Sequence, residues 1–270
     1  MRPFRKLRLI AGMSLALGLL VPQAALGAGA GSFGPTGSMG TARYAAAAAP
    51  LPGGRVLVAG GFYDDASGDH YLASAEVFNP ATNSFSSAGI GPLSVPRHGP
   101  VAAPLPDGRV LVAGGDYVDG GGHHYLASAE VFNPAMNAFT PVGEMSVARV
   151  RAFAAPLPDG RVLVAGGNDG AARLSSAEVF NPATNTFTPV GDMGIDLARA
   201  AAAPLPDGRV LIAGGTDGAP RSASLVFDPV TNSFSSAGIG AMTTARQAPA
   251  AAPLPDGRVL VSGGVYVEGP

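Results

Sequence analysis

Two short segments of this 270-residue sequence bring histidine, tyrosine and aspartate close enough together to suggest chemistry. One runs from Phe62 to Tyr71 and the other from Asp116 to Tyr125, and together they hold three of the four histidines and four of the six tyrosines. Aromatic rings beside carboxylates suit sugar binding, whereas histidine with aspartate suits a metal ion. Neither spacing matches an EF-hand loop or a His-Glu-x-x-His motif. Ordinary solvated loops are the third interpretation.

We predict ligand recognition by these segments, no defined cofactor and no catalytic residue, with calcium or another metal left open. The candidate ligand-binding residues are Tyr63, Asp64, Asp65, Asp69, His70, Tyr71, Asp116, Tyr117, Asp119, His123, His124 and Tyr125.

Both segments belong to a repeated pattern that covers most of the chain. Pro-Leu-Pro followed by Gly or Asp and then Gly-Arg-Val-Leu occurs five times, and each copy runs into a Gly-Gly pair. The pairs are 48 to 54 residues apart. Four copies continue into a block of the type Ala-Glu-Val-Phe-Asn-Pro and then a further Phe. Repetition at a fixed period indicates a repeat architecture. The predicted repeats lie near 43–90, 97–143, 149–191, 199–238 and 246–270.

Each repeat predicts four short strands, a to d. Strand a is rich in alanine and ends in Pro-Leu-Pro, and an Asp-Gly hairpin turn connects it to the Val-Leu-Val strand b. Strand c is Ala-Glu-Val-Phe, Asn-Pro forms the next turn, and strand d carries the last Phe. Helix propensity alone favours a helix at 45–49, but Pro50 and Pro52 and the hairpin pattern argue for a strand.

The repeats resemble the kelch family at residue level. Kelch repeats contain a double glycine, an aromatic-Asn/Asp-Pro turn, an aromatic in the last strand and an arginine before the next blade. In the second repeat these are Gly114-Gly115, Phe132-Asn133-Pro134 and Phe139, with Arg149 following. Phe stands where the family usually has Trp. The resemblance implies an all-β, kelch-type β-propeller of four-stranded blades over 29–270, with five visible repeats and an incomplete last one.

An arginine precedes strand a in every repeat, which favours a structural ring that binds loop carbonyls and carboxylates. The predicted ring consists of Arg43, Arg97, Arg149, Arg199 and Arg246. We expect the b–c loops and the d–a connections to share one face, where propeller ligands usually bind. His98, before the second strand a, is predicted to be a plain polar cap.

The N-terminus has the pattern of a secretory signal peptide over residues 1–28. Basic residues precede an apolar run from Leu9 to Val21, and small residues follow it. We expect a secreted or periplasmic protein with no membrane span after cleavage. The segment holds four of the 17 basic residues and none of the 19 acidic ones, so the remaining chain carries about −6. Such a balance argues against nucleic-acid binding.

Residues 31–42 resemble a strand d with its linker, and we expect them to add an outer strand to the last blade. The fifth repeat stops before a strand c, which leaves two interpretations: five blades that close with one strand missing, or an incomplete chain whose full form has more blades. We favour the second. The oligomeric state is not predicted.

The repeats also look like the propeller of galactose-oxidase-like enzymes, whose copper site requires a Tyr crosslinked to Cys. The sequence contains no Cys, which argues against that chemistry. The favoured hypothesis is therefore an exported, non-catalytic module that recognises a protein or a glycan. The alternative is an extracellular carbohydrate-active enzyme, or the propeller fragment of one.

Overall fold

The computed structural model describes residues 34–266, and the account below concerns the unit that begins at Thr36. The signal-peptide segment and Ser32-Phe33 of the predicted closing strand lie outside the described residues. Residues 34–42 form no strand; instead the Gly37 amide donates to the carbonyl of Asn83 in the first repeat. A closing strand contributed by 31–33 stays a prediction.

The described residues contain strands in every repeat and a short 3₁₀ turn at Pro52–Gly54. Repeat one has β1 (Ala47–Pro50), β2 (Val56–Ala59), β3 (Phe62–Asp65), β4 (Gly68–Tyr71), β5 (Ala75–Asn79) and β6 (Ser84–Ser86). Repeat two has β7 (Val101–Pro104), β8 (Val110–Ala113), β9 (Asp116–Asp119), β10 (Gly122–Tyr125), β11 (Ala129–Asn133) and β12 (Ala138–Pro141). Repeat three has β13 (Phe153–Pro156), β14 (Val162–Ala165), β15 (Ala177–Asn181) and β16 (Thr186–Pro189). Repeat four has β17 (Ala201–Pro204), β18 (Val210–Ala213), β19 (Ser224–Asp228) and β20 (Ser233–Ser235), and repeat five has β21 (Ala250–Pro253) and β22 (Val259–Ser262).

The first four repeats each form one antiparallel four-stranded sheet, in the order a-b-c-d that the sequence predicts. These sheets are β1-β2-β5-β6, β7-β8-β11-β12, β13-β14-β15-β16 and β17-β18-β19-β20. The fifth repeat contributes the pair β21-β22 within the described residues. In repeats one and two, the long b–c connection folds into a separate hairpin, β3-β4 or β9-β10. The four-stranded blade is therefore confirmed, and strand formation at Ala47–Pro50 overrides local helix propensity.

The core lies between neighbouring sheets. Each inner strand packs beside the inner strand of the next repeat, from β1 through β7, β13 and β17 to β21. The strand-c phenylalanine of one repeat is fully buried against the previous repeat: Phe132 joins the cluster around Leu57, and Phe180 joins that around Leu111. Small alanine side chains on the inner strands allow the inner strands of neighbouring repeats to lie close together.

The Gly-Gly pair explains how strand b leaves the sheet. Gly114 and Gly115 have φ of +69° and +100°, which L side chains rarely adopt. A Cβ on Gly114 would overlap the carbonyl oxygen of Arg149, and that same oxygen accepts the Gly115 amide at 2.8 Å. The pair thus connects each blade to the linker of the next one.

Candidate functional site

A buried arginine connects the linker to the blade in three repeats. Arg97 donates to the carbonyls of Gly114 (2.9 Å) and Ser128 (2.8 Å) and forms an ion pair with Glu130 (3.1 Å). Arg43 and Arg149 repeat these contacts with the equivalent residues of their own blades. Arg246 donates to the Gly263 carbonyl at 2.7 Å. In each case the arginine lies 17 residues before the first glycine of the pair.

Arg199 does not belong to this ring, and its predicted role is corrected here. The residue 17 positions before Gly214 is Leu197, which is buried next to Leu225 in the same apolar cluster. Leu225 stands where the other three blades have the paired glutamate. Repeat four has therefore replaced a buried ion pair with a buried leucine pair, and Arg199 is shifted two residues along the linker.

Arg199 instead occupies a second repeated position, which surrounds a central cavity. At this position the amides of repeats two to five each donate to the carbonyl of the same position in the preceding repeat, at 2.8–3.0 Å. The five residues are Ala45, Gly99, Arg151, Arg199 and Ala248. All five have φ between +50° and +61° and line one cavity of about 410 Å³. The five repeats thus face a common centre.

A third repeated feature is a two-residue bridge between the linker and the residue after the Gly-Gly pair. The backbone pairing is the same in all five repeats, but the side chains differ each time. The pairs are Tyr44 with Phe62, His98 with Asp116, Val150 with Asn168, Ala198 with Thr216, and Gln247 with Val265. Because the fold accepts such different side chains here, their identities are free to serve a ligand.

Six of these ten variable positions line one polar cavity of about 330 Å³: Asp116, Val150, Asn168, Ala198, Thr216 and Gln247. It lies where b–c loops and d–a connections meet, as the sequence predicts for the ligand-binding face. Its lining includes Asp116, His123, Tyr125, Asn168, Arg173 and Thr216 from the loops, and Arg151, Arg199 and Gln247 from the connections. It shares Arg151 and Arg199 with the central cavity.

Asp116 is the most enclosed acidic group of the cavity, and each of its oxygens contacts a histidine. His98 Nδ1 lies 2.7 Å from Oδ1, and His123 Nε2 lies 2.5 Å from Oδ2. Burial alone would raise the pKa of Asp116, but the hydrogen bonds and charges of the two histidines together lower it below its ordinary value. Asp116 is therefore an anion held between two histidines, and His98 is a part of the site rather than a plain cap.

Tyr125 forms an aromatic wall of the cavity. Its ring stacks on His123 with the centroids 4.3 Å apart and the planes at 19°. The ring also lies against Gly170 of the third b–c loop, where an added Cβ would collide with it. A glycine at 170 is thus required by close approach, and the second and third loops form one continuous surface.

Three arginines line the cavity from different segments. Arg151 and Arg199 come from consecutive linkers, and Arg173 comes from the third b–c loop. Burial lowers the pKa of Arg199, and the positive charge of Arg151 lowers it further. Among residues 34–266, no carboxylate forms a salt bridge with any of these three side chains.

The outer half of hairpin β9-β10 holds the other candidates of the second segment. Tyr117 stacks on His124 at 4.6 Å, and His124 Nε2 lies 2.9 Å from Asp119 Oδ1. These contacts lie within the hairpin, and none of the three residues lines the cavity. The hydrogen bond from His124 lowers the pKa of Asp119.

The candidates on hairpin β3-β4 also lie outside the cavity. Tyr63 stacks on His70 at 4.4 Å, and Ser67 and His70 both contact Asp65. The Ser67 hydroxyl and amide and the His70 ring lower the pKa of Asp65 to about 2. Asp64 and Asp69 face each other across the hairpin.

Tyr71 packs against the ring of Phe62, with centroids 4.9 Å apart, and its edge approaches His98. Phe62 and Tyr44 complete an aromatic enclosure on this side of His98. Hairpin β3-β4 thus packs its aromatic rings against His98 of the second repeat.

Sequence reasoning missed the cavity residues that have no aromatic or carboxylate signature. Arg151 and Arg199 belong to this group, as do Asn168, Thr216 and Gln247. The signal that identifies them is their place in the repeat: each occupies a position whose side chain changes from blade to blade. In the part of the chain from 34 to 266, no group of three His, Asp or Glu is arranged to hold a metal ion. In the same part, no helix has the length and apolar character needed to cross a membrane.

The fold and the cavity together define a β-propeller with four-stranded blades. Residues 43–89 and 149–194 match the family model described as the Kelch motif. A solved structure entitled "Structure of YjhT" superimposes with a TM-score of 0.69 and 15% identity, covering 83% of this chain and 78% of that one. This likeness establishes the fold alone. Comparison with curated proteins gives no match. The chain therefore contains kelch motifs in the first and third repeats, within a fold of the β-propeller type.

Proposed function

We propose that the chain is an exported recognition module that binds a sugar-containing ligand in the 330 Å³ cavity and leaves it chemically unchanged. One observation carries the proposal: six of the ten bridge positions whose side chains differ between repeats line a single concave polar site. Positions that maintain the fold vary less: the linker arginine is present in four of the five repeats. Variable positions gathered in one cavity of a constant framework are typical of a rigid scaffold that presents a binding site.

The lining has the chemistry that a sugar needs. Asp116 and His123 offer a charged acceptor and an imidazole for hydroxyl groups, and Asn168, Thr216 and Gln247 add neutral polar groups. The Tyr125 ring, which lines the cavity, adds an aromatic surface. The cavity volume lies at the lower end of the range of about 300–1,000 Å³ for small-molecule sites. Such dimensions fit one sugar unit better than the broad contact of a protein partner.

Binding is tested by calorimetry and a glycan array with the chain from residue 29 onwards. Tyr125→Ala should abolish or strongly weaken binding, because it removes the aromatic wall. Tyr117→Ala is the matched control, since Tyr117 stacks on the neighbouring histidine of the same hairpin outside the cavity. Equal losses in both variants would contradict the proposed site. A protein captured by the chain and not displaced by sugars would favour protein recognition instead.

Export rests on the N-terminal sequence. We expect the protein produced with its full N-terminus to be recovered outside the cytoplasm and to begin near residue 29. Mass spectrometry of the recovered protein measures this directly. Recovery of an intact Met1 terminus in the cytoplasmic fraction would contradict it.

One observation favours a second candidate function, an extracellular carbohydrate-active enzyme. The arrangement His98–Asp116–His123 places a half-exposed imidazole next to a buried carboxylate that fixes its orientation, as a general base requires. Nuclear magnetic resonance of a bound sugar over time distinguishes the two functions. Turnover that disappears in Asp116→Asn would establish the enzyme, and an unchanged sugar would support recognition.

A further inference from the structure

We infer that the sugar bound in this cavity carries an oxyanion group, and that Arg151 and Arg199 bind that group. The inference rests on the proposed function and narrows its ligand class. It starts from the repeated left-handed position around the central cavity, which is Ala45, Gly99 and Ala248 in the other repeats. The fold therefore does not require an arginine there.

The two arginines are placed at an energetic cost. Both occupy the left-handed position that all five repeats share, at φ of +57° and +55°, so the backbone conformation belongs to the fold and the arginine side chains do not. Burial lowers the pKa of Arg199, and the positive charge of Arg151 on the preceding linker lowers it further, so the cost lies in the two charged side chains that share the cavity. A like-charge pair that the fold does not need is typical of a functional site.

No protein group compensates these charges within residues 34–266. The linker arginines Arg43, Arg97 and Arg149 each pair with a buried glutamate, and Arg221 pairs with Asp217. Arg151 and Arg199 have no such partner, and Asp116, which lines the same cavity, already contacts two histidines. An anionic ligand would supply the missing partner.

Guanidinium groups bind carboxylate, sulfate and phosphate through paired N–H donors, and all three share this oxyanion chemistry. Arg173 reaches the same cavity from the third loop, with its guanidinium near Gly218, and adds positive charge. The cavity thus has a cationic side for the oxyanion. Asp116 and His123 lie among its other lining groups, where they suit hydroxyls.

The test compares acidic sugars with their neutral parents by calorimetry. The probes are glucuronate, galacturonate, glucose 6-phosphate and glucose 6-sulfate, each against glucose or galactose. We expect at least one acidic sugar to bind about tenfold or more tightly than its parent, and the arm that binds identifies the oxyanion. Arg151→Ala/Arg199→Ala should remove this preference, while Arg151→Lys/Arg199→Lys should retain part of it.

The alanine variant is compatible with the fold because Ala45 and Ala248 occupy the same position in other repeats. Arg109→Ala is the control, since Arg109 pairs with Asp107 in an exposed a–b turn outside the cavity. If neutral and acidic sugars bind equally in a Tyr125-dependent manner, the oxyanion inference is wrong and the proposed function stands. If no sugar of either kind binds, both are wrong.

Discussion

The buried ion pair between Arg149 and Glu178 can be replaced by leucines, because the fourth repeat already contains that replacement. Arg149 is 1% exposed, and its guanidinium donates to Glu178, to the Ser176 hydroxyl and to two backbone carbonyls. Burial lowers the pKa of Arg149 even though Glu178 opposes the shift, so the desolvation of the charge is not fully compensated. Its Nε also has no hydrogen-bond partner among the described residues.

Removing one partner alone leaves the other charge buried. Arg149→Leu leaves Glu178 with only the Ser146 amide as donor, at 2.8 Å, and should destabilise the fold by about 3–5 kcal/mol. Glu178→Leu should cost a similar amount. The double change Arg149→Leu/Glu178→Leu removes both charges and the unpaired Nε, and in return buries two apolar side chains. It leaves two carbonyls to be satisfied, so we expect a net loss of no more than about 2 kcal/mol.

The double variant needs a third adjustment that repeat four also shows. With Glu178 replaced, the Ser146 amide loses its acceptor, whereas the equivalent Gly194 amide donates to Asp192 Oδ1 at 2.7 Å. In repeat three the position of Asp192 is held by Glu144. Glu144→Asp added to the double variant should therefore recover a further fraction of a kcal/mol, typical of one hydrogen bond to a carboxylate.

Urea denaturation followed by circular dichroism measures the free energy of unfolding of the wild type, the two single variants and the double variant. If the losses were additive, the double variant would lose at least about 6 kcal/mol, well above our expectation. A double variant as unstable as that sum would refute the reasoning. Arg109→Leu is the control: its ion pair with Asp107 is exposed on the carboxylate side, and it should cost less than about 1 kcal/mol.

Two further predictions follow from the backbone and from charge. Gly114→Ala should destabilise the fold by more than about 1–2 kcal/mol, because the left-handed φ is strained and the new Cβ meets the Arg149 carbonyl. Gly89→Ala is the control for strain alone, since Gly89 has φ of +73° and no atom within 4 Å of an added Cβ. Equal losses of stability in the two variants would exclude the overlap. The pKa of Asp116 is lower in the folded state than in the unfolded state. Asp116 therefore contributes its full stabilisation at a pH above the unfolded pKa, and this stabilisation is lost as the pH falls through the folded pKa. Asp116→Asn should flatten the decline of unfolding free energy below about pH 4, and an unchanged slope would contradict the histidine contacts.

The blades were predictable because turn-forming residues mark the ends of their strands. In the first four repeats the strand ends are marked by Asp-Gly or Gly-Gly after strand a, Gly-Gly after strand b, and Asn-Pro or Asp-Pro after strand c. These turns override the helix propensity of the alanine run before Pro50. Arg199 was misplaced for a related reason. In the sequence, Arg199 resembles the linker arginine of the other repeats. Its distance from Gly214 is two residues shorter than theirs, and this difference alone shows that Leu197 occupies the equivalent position.

The candidate site was only partly predictable, because two hairpins with the same pattern have different surroundings. Aligned on their tyrosines, β3-β4 and β9-β10 differ at two places that decide the polarity of the face. Phe62 stands where the second hairpin has Asp116, and Asp69 stands where it has His123. Phe62 packs into an aromatic enclosure around His98, whereas Asp116 binds the same histidine as an anion. Composition alone cannot distinguish these two outcomes, since both hairpins are rich in Tyr, His and Asp.

The repeats act as internal controls on each other, and this gives the site argument its strength. A blade can contact its linker through an arginine–glutamate pair or through leucines. The fold therefore requires a well-packed buried contact at that position but no particular residue type. The next positions along the linker have a fixed backbone but no fixed side chain, and there the third and fourth repeats place Arg151 and Arg199 side by side. Packing, turn geometry and blade closure do not explain two unpaired like charges on one wall. A bound anion explains them, which is why the charge of the ligand, more than its sugar ring, is the property that the cavity most directly specifies.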